Sequence, residues 1–311
     1  MWAVSLPASV RAACAWVMGR GGAVRIDEER IADYAATLPA PGELPELDPE
    51  THLTEGDREA RAAFVICLDA INFGSGWWPT IRKRPGRSGY LTVAAGLTER
   101  FRIAGPWPVE ELAAIDPGAI AAVLGQDPGH PLMADFATSL RDVGAHVGGE
   151  HGGSFAALAD AADGSAVTLA GLLGGWEAFA DASTYMGRDI PFFKRAQIAA
   201  ADLDRAGVVS LRDVDRLTAF ADNLVPHVLR VDGLLRLDPA LSTAIEAGEL
   251  LDHGSPEEVE LRAAAVHAVE LLAVATDGRL CPAEVDAALW NRGRQPRYKA
   301  LPRPRSRNTA Y

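Results

Sequence analysis

Several side chains in this sequence are of the types that act on nucleotides: Asp69, Asn72, Phe73, Trp77, Tyr185, Lys194, Gln197, Asp222, Asn223, His227 and Arg230. Aromatic rings stack on planar bases, amides and acids read base edges, and cations take phosphate. A carboxylate opposite a sugar carbon can stabilise an oxocarbenium-like transition state, either alone or by activating water. The run "LTAFADNLVPHVLRVDGLL" (Leu217 to Leu235) places Asp222 and Asn223 where a core would take Leu and Val. In "IPFFKRAQ" (Ile190 to Gln197) a lysine follows two phenylalanines that need no charge for packing. The alternative use of these residues is structural, with Asp222 capping a helix and Lys194 reaching past apolar neighbours to water.

Helices must position these groups. "IPFFKRAQIAAADLDRAG" predicts a helix opened by Pro191 and closed near Gly207, with Lys194 and Gln197 on one side. "SLRDVDRLTAFAD" predicts a second, with Ser210 and Asp213 as capping residues. It breaks at "NLVP", and "PHVLRVDG" predicts a third. Asp222 and Asn223 then occupy a helix–turn–helix corner, where amides at the start of the following helix can hold a carboxylate. "GSPEEVELRAAAVHAVELLAVATDG" predicts a buried central helix. Ser255 is its N-cap, Pro256 lies in its first turn, and Glu258 completes a capping box. His267 and Glu270 can share a face on it, as a hydrogen-bonded pair.

The front half is less regular. "LMADFATSLRDVGAHV" and "SFAALADAADGSAVTLAGLLGGWEAFAD" predict helices, and the Gly-rich "GGEHGGS" between them predicts a connection. Tyr90 to Val93 is the one stretch with strand character, suggesting a short hairpin. The expected class is mainly α with at most a small β-hairpin. Residues 1–311 are expected to form one compact body, or two packed helical subdomains.

The chain carries 48% hydrophobic and 23% charged residues, as folded globular proteins do. "VRAACAWVMGR" is short and broken by Arg11, so it predicts a buried helix rather than a signal peptide. No apolar run approaches the roughly 20 residues needed to span a bilayer. Three widely spaced cysteines form no zinc or disulfide pattern and suit a reducing cytoplasm. Metalloprotease, P-loop, serine-hydrolase and dinucleotide motifs are absent, and the seven histidines are scattered, so no metal or cofactor is expected.

The net charge of −12 would repel nucleic acid at long range. One basic stretch stands out: "RGRQPRYKALPRPRSR" holds seven cations, and the remainder of the chain then carries 23 basic against 42 acidic residues. That stretch is either a solvated tail or a small anionic site in which two or three groups hold one phosphate, with Lys299, Arg305 and Arg307 as candidates.

"LDAINF" (Leu68 to Phe73), "FFKRAQIAAADL", "DVDRLTAFADNLVPHVLRVDGLL", "GSPEEVELRAAAVHAVELL" and the ending "YKALPRPRSR" occur in the same order in the queuosine salvage family, and the chain resembles that family from about Leu68 onward. The resemblance implies a fold like that of the helix-hairpin-helix DNA glycosylases. It implies hydrolysis of queuosine 5′-monophosphate to queuine and ribose 5-phosphate, with no metal or redox cofactor. The base is a 7-deazaguanine whose position 7 is carbon and takes no proton, so more of the barrier falls on stabilising the ribosyl cation and placing water. By the same resemblance Asp222 is the catalytic carboxylate, and Asn223 positions it or the ribose. Lys194 binds phosphate or stabilises the departing base. Asp69 pairs with the cationic amine of queuine, and Phe73 or Trp77 stacks on its ring. The expected partner is a small nucleotide, with no nucleic acid and no membrane. The competing readings are a DNA glycosylase with Lys194 as Schiff-base nucleophile and a non-catalytic binder of a modified nucleotide. Borohydride trapping tests the first, and ligand turnover tests the second.

Overall fold

The computed structural model describes residues 5–43 and 46–311. The chain is mainly α, with two small antiparallel strand pairs. One is a hairpin, Ala182–Tyr185 with Arg188–Pro191. Its two-residue turn, Met186 and Gly187, has positive φ at both positions (50° and 75°), the geometry that matches strand twist. The other pairs Val24–Ile26 with Leu235–Leu237, tying the early chain to a segment two hundred residues on.

Two apolar clusters build the body. The first gathers residues between Leu53 and Leu217. The second joins residues Val10 to Leu38 to the later chain, up to Tyr298. Phe193 packs against both. The helix Pro256–Ala275 is the centre of the second cluster and is buried on nearly all sides. Ser255 caps it by accepting from the Glu258 amide, while the Glu258 carboxylate accepts from the Gly254 amide. Glu270 on this helix accepts from Arg11 Nε at 2.8 Å and makes no hydrogen bond with His267 among the described residues.

Three expectations are corrected. Tyr90 to Val93 is helical, inside Gly89–Ala104, because Ser88 accepts from the Leu91 amide and starts a helix that overrides local β-propensity. The helix Pro131–His151 runs on through Gly148 and Gly149, so only Gly152 to Ser154 connect it to the next element. The stretch from Ser210 to Asp222 forms a single 3-10 turn, Val214–Arg216, rather than a helix.

The segment 217–222 is buried yet has no ladder partner, so side chains satisfy its backbone. Thr218 N donates to Gln197 Oε1 (2.9 Å) and Phe220 N to Asp286 Oδ1 (3.0 Å). The carbonyls of Leu217 and Ala221 accept from Arg11 (2.9 Å) and Arg262 (3.0 Å). Side chains from four helices thus hold the segment that ends at Asp222.

Candidate active site

A cavity of about 750 Å³ opens where the two clusters meet, within the ~300–1,000 Å³ usual for small-molecule sites. It continues into an inner lobe of about 140 Å³. Asn72, Tyr90, Lys194, Asp222, Trp290 and Arg294 line both lobes. The outer lobe carries cations: Lys83, Arg87, Lys299, Arg303 and Arg305. The inner lobe carries the carboxyl groups of Asp202 and Asp286, with Phe220 beside them.

Lys194 begins the helix Lys194–Arg205, three residues later than Pro191 predicts. The delay comes from Phe193, whose φ of 50° and ψ of 42° are left-handed, a conformation costing ~1–2 kcal/mol in a non-glycine residue. Asp181 holds it there: its carbonyl accepts from Phe192 N and Phe193 N (2.9 and 3.1 Å), and its carboxylate accepts from Lys194 N (3.0 Å). Lys194 Nζ donates to the Asn72 carbonyl at 2.7 Å. Burial draws its ammonium down to about 8, opposed first by the charge of Asp222 and then by that of Asp69. Lys194, Ile198, Asp202 and Arg205 form one stripe of the helix facing the inner lobe, at spacings of four, four and three. The opposite face buries Ala196, Ala199, Ala200 and Leu203.

Asp222 stands before the helix Leu224–Val231 and caps it. Its Oδ1 accepts from Leu224 N (2.8 Å) and Val225 N (3.0 Å). Among the described residues no hydrogen bond reaches Oδ2. Asp286, on the helix Pro282–Gly293, is lifted well above the usual carboxylate range by burial, with the charge of Asp222 adding to it. Asp202 is raised to about 6 by burial, against the pull of Arg205 and Lys194.

The helix Leu224–Val231 also builds the outer lobe. Asn223, His227 and Arg230 fall on one face, and each bonds a backbone carbonyl of the segment that follows residue 297. Asn223 Nδ2 reaches Pro304 O (2.7 Å), His227 Nε2 reaches Tyr298 O (2.9 Å), and Arg230 Nη2 reaches Pro302 O (2.7 Å). The basic stretch is therefore docked rather than a solvated tail. Its far side is fastened to the front half, where Gly76 N donates to Ser306 O and Gly74 N to Tyr311 O (3.1 Å each). A Cβ on Gly76 would meet Ser306 O at 2.5 Å, so the close approach requires glycine. The docked segment presents Lys299, Arg303 and Arg305 to the cavity. Arg305 Nη2 donates to Gly248 O at 2.9 Å. Burial lowers the pKa of Arg303, with the charge of Asp222 opposing.

Of the residues singled out in the sequence, Asn72, Phe73, Lys194, Asp222, Asn223, Lys299 and Arg305 line the cavity. Others do not, each for a physical reason. Trp77 is turned into the core, and its neighbour Trp78 faces the cavity instead. Adjacent tryptophans point apart, and Gly89 makes the room: a Cβ there would meet the Trp78 ring at 2.4 Å. Tyr185 donates to Glu260 at 2.7 Å in the second cluster, and Gln197 is spent on the 217–222 segment. His227 and Arg230 dock the basic segment, and Arg307 borders neither lobe. Asp69 is buried behind Asn72, whose amide it accepts at 3.3 Å, and burial followed by the charge of Asp202 raises it well above the usual range.

The cavity also contains residues that were not singled out: Tyr90, Asp202, Asp286, Trp290 and Arg303. Asp202 was readable as the second step of the Lys194 stripe. Tyr90 and Trp290 meet edge to face at 5.9 Å across two hundred residues, and local sequence carries no sign of that. Among the described residues no cluster of three or more His, Cys, Asp or Glu side chains could hold a metal ion, and no helix is long and apolar enough to cross a membrane.

Fold and site together define a helical protein with a two-lobed, nucleotide-sized cavity, cationic at one end and carboxyl-lined at the other. Residues 51–311 match the family model described as queuosine salvage protein, and the chain belongs to that family. It is 34% identical over 308 residues, 95% of each chain, to the queuosine 5′-phosphate N-glycosylase/hydrolase of Sphaerobacter thermophilus. Proteins of the same description from Dictyostelium discoideum (29% identical, 76% of this chain and 73% of the other) and Nematostella vectensis (28%, 73% and 70%) are also similar.

Proposed function

We propose that this chain hydrolyses the N-glycosidic bond of queuosine 5′-phosphate, releasing queuine and ribose 5-phosphate. The observation that supports this is that Asp222 and Lys194 line both lobes; in this reading the glycosidic bond of a nucleotide spanning the lobes lies beside them. The similarity to named N-glycosylase/hydrolases supports the same reading.

In this reading the 5′-phosphate enters the outer lobe, against Arg303, Arg305 and Lys299. The base enters the inner lobe, between the Tyr90 and Trp290 rings and the carboxyl groups of Asp202 and Asp286. The C1′–N9 bond breaks with its electron pair going to the base. Water oxygen bonds C1′, and one water proton ends on N9. Asp222 faces the cationic ribosyl carbon through Oδ2, since Oδ1 is held by two amides, and it orients the water. A deaza base takes no proton at position 7, so charge on the departing base is met by donors. Lys194 is one, placed at the junction rather than at the phosphate end. Asp286, whose pKa burial and the charge of Asp222 raise well above the usual carboxylate range, is a second in this reading.

A depressed lysine pKa also suits a nucleophile. Borohydride added during turnover separates the two uses. Hydrolysis through water leaves Lys194 unmodified, whereas a Schiff base with the sugar gives a ribosyl phosphate adduct on Lys194 by mass spectrometry.

A further inference from the structure

Arg262, on the central helix, and Asp181, before the hairpin, form an ion pair whose side chains are 2% and 0% exposed. The pairing is a fork: Nη1 to Oδ1 at 2.9 Å and Nη2 to Oδ2 at 2.7 Å. The guanidinium lies over the Phe192 ring at 4.0 Å and the Tyr311 ring at 4.6 Å. Its Nε donates to the Ala221 carbonyl at 3.0 Å, one residue before Asp222. Asp181 Oδ2 in turn accepts the amide of Lys194 at 3.0 Å. One planar group thus links the backbone beside Asp222 to the backbone of Lys194.

A fully buried ion pair is weak support for stability, since apolar residues of similar volume often do as well or better. Its distinctive property is direction: the fork admits one relative placement of its partners. Both partners here need that. The segment 217–222 has no ladder, and Lys194 follows a residue in a left-handed conformation. Neither would hold its place by local preference.

We propose that Arg262 and Asp181 are positioning residues that fix the spacing of Asp222 and Lys194 across the cavity. The proposal rests on the hydrolase reading for its kinetic test, so a second readout is independent of substrate. Arg262→Lys keeps the cation and loses the fork. Asp181→Leu with Arg262→Met removes both charges of the fork together, and Glu258, 4.0 Å from Arg262 Nη1, keeps His253 at 3.6 Å as its cationic partner.

The expected result is that both variants are folded by circular dichroism. On queuosine 5′-phosphate, kcat falls at least tenfold in R262K and at least a hundredfold in the double variant, with KM within threefold. Reductive methylation of Lys194 against pH, read by mass spectrometry, should show a midpoint in R262K at least one pH unit above the wild-type midpoint, as the lysine loses its fixed, dry placement. A kcat within twofold of wild type in either folded variant would overturn the proposal, as would an unchanged Lys194 midpoint in R262K. If the wild-type chain releases no queuine, the hydrolase reading fails, and the methylation midpoint alone decides the positioning role.

Discussion

Asn223 donates from Nδ2 to the carbonyl of Pro304 across 2.7 Å, so the residue next to Asp222 carries the segment that brings Arg303 and Arg305 to the cavity. Carboxylate and cations are therefore placed by one short helix, Leu224–Val231. Asp222 caps its start, and Asn223, His227 and Arg230 dock the basic segment along its flank. Moving this helix would displace both ends of the site together.

Asp222→Asn is expected to lower kcat at least a hundredfold, because loss of a charge held by two amides beside the reacting carbon removes several kcal/mol of transition-state support. Stability should hardly change, since the Asn oxygen can still accept from Leu224 N and Val225 N. Thermal unfolding and turnover of the same preparation check both halves. Near-normal turnover would remove Asp222 from the chemistry.

Activity should decline as pH rises through about 8, where Lys194 loses its proton. The charged form is the useful one in this reading, so the loss lies on the alkaline side. Lys194→Met should be slow and lack this limb. An unchanged alkaline limb in that variant would assign it to another group.

Arg303→Ala and Arg305→Ala should each raise KM for the 5′-phosphate about tenfold or more, as a charged hydrogen bond is worth roughly 1.5–3 kcal/mol. Both should leave turnover of the bare nucleoside nearly unchanged. Arg307→Ala, outside the cavity, serves as the control. Equal losses on nucleotide and nucleoside would show that these cations do not read phosphate.

His227 is buried against the Tyr298 carbonyl, and burial lowers its pKa to about 4. The unfolded chain therefore binds more protons between about pH 6.5 and 4. Stability should fall as pH is lowered through that window, by on the order of 2–3 kcal/mol. His227→Gln should flatten this part of the stability profile, measured by urea unfolding from pH 7 to 4. A profile of wild-type slope in the variant would place the acid sensitivity elsewhere.

Much of the helical fold was legible because caps and breakers are local. Ser255, Pro256 and Glu258 marked the central helix. Asp222 and Lys194 stood out because each is a charge inside an apolar run, and both line the cavity. What escaped was non-local. The apolar pattern of 210–222 resembles a helix, yet its backbone is satisfied by Gln197, Asp286, Arg11 and Arg262, whose positions only the tertiary structure sets. Asn223, His227 and Arg230 were readable as one helix face, but the partner of that face, some seventy residues on, was not. Trp77 and Trp78 are alike in sequence, and packing against Gly89 decides which one meets the cavity.

Incubation with queuosine, its 5′-phosphate and queuosine-containing tRNA, followed by chromatography for free queuine, tests the central claim most directly. The cations gathered around one outer lobe suit one nucleotide, not a tracked backbone with a cation for each phosphate along a groove. The 5′-phosphate should yield queuine and ribose 5-phosphate in equal amounts, the nucleoside far less, and intact tRNA none. Absence of queuine from the 5′-phosphate, or release from tRNA at a comparable rate, would contradict it.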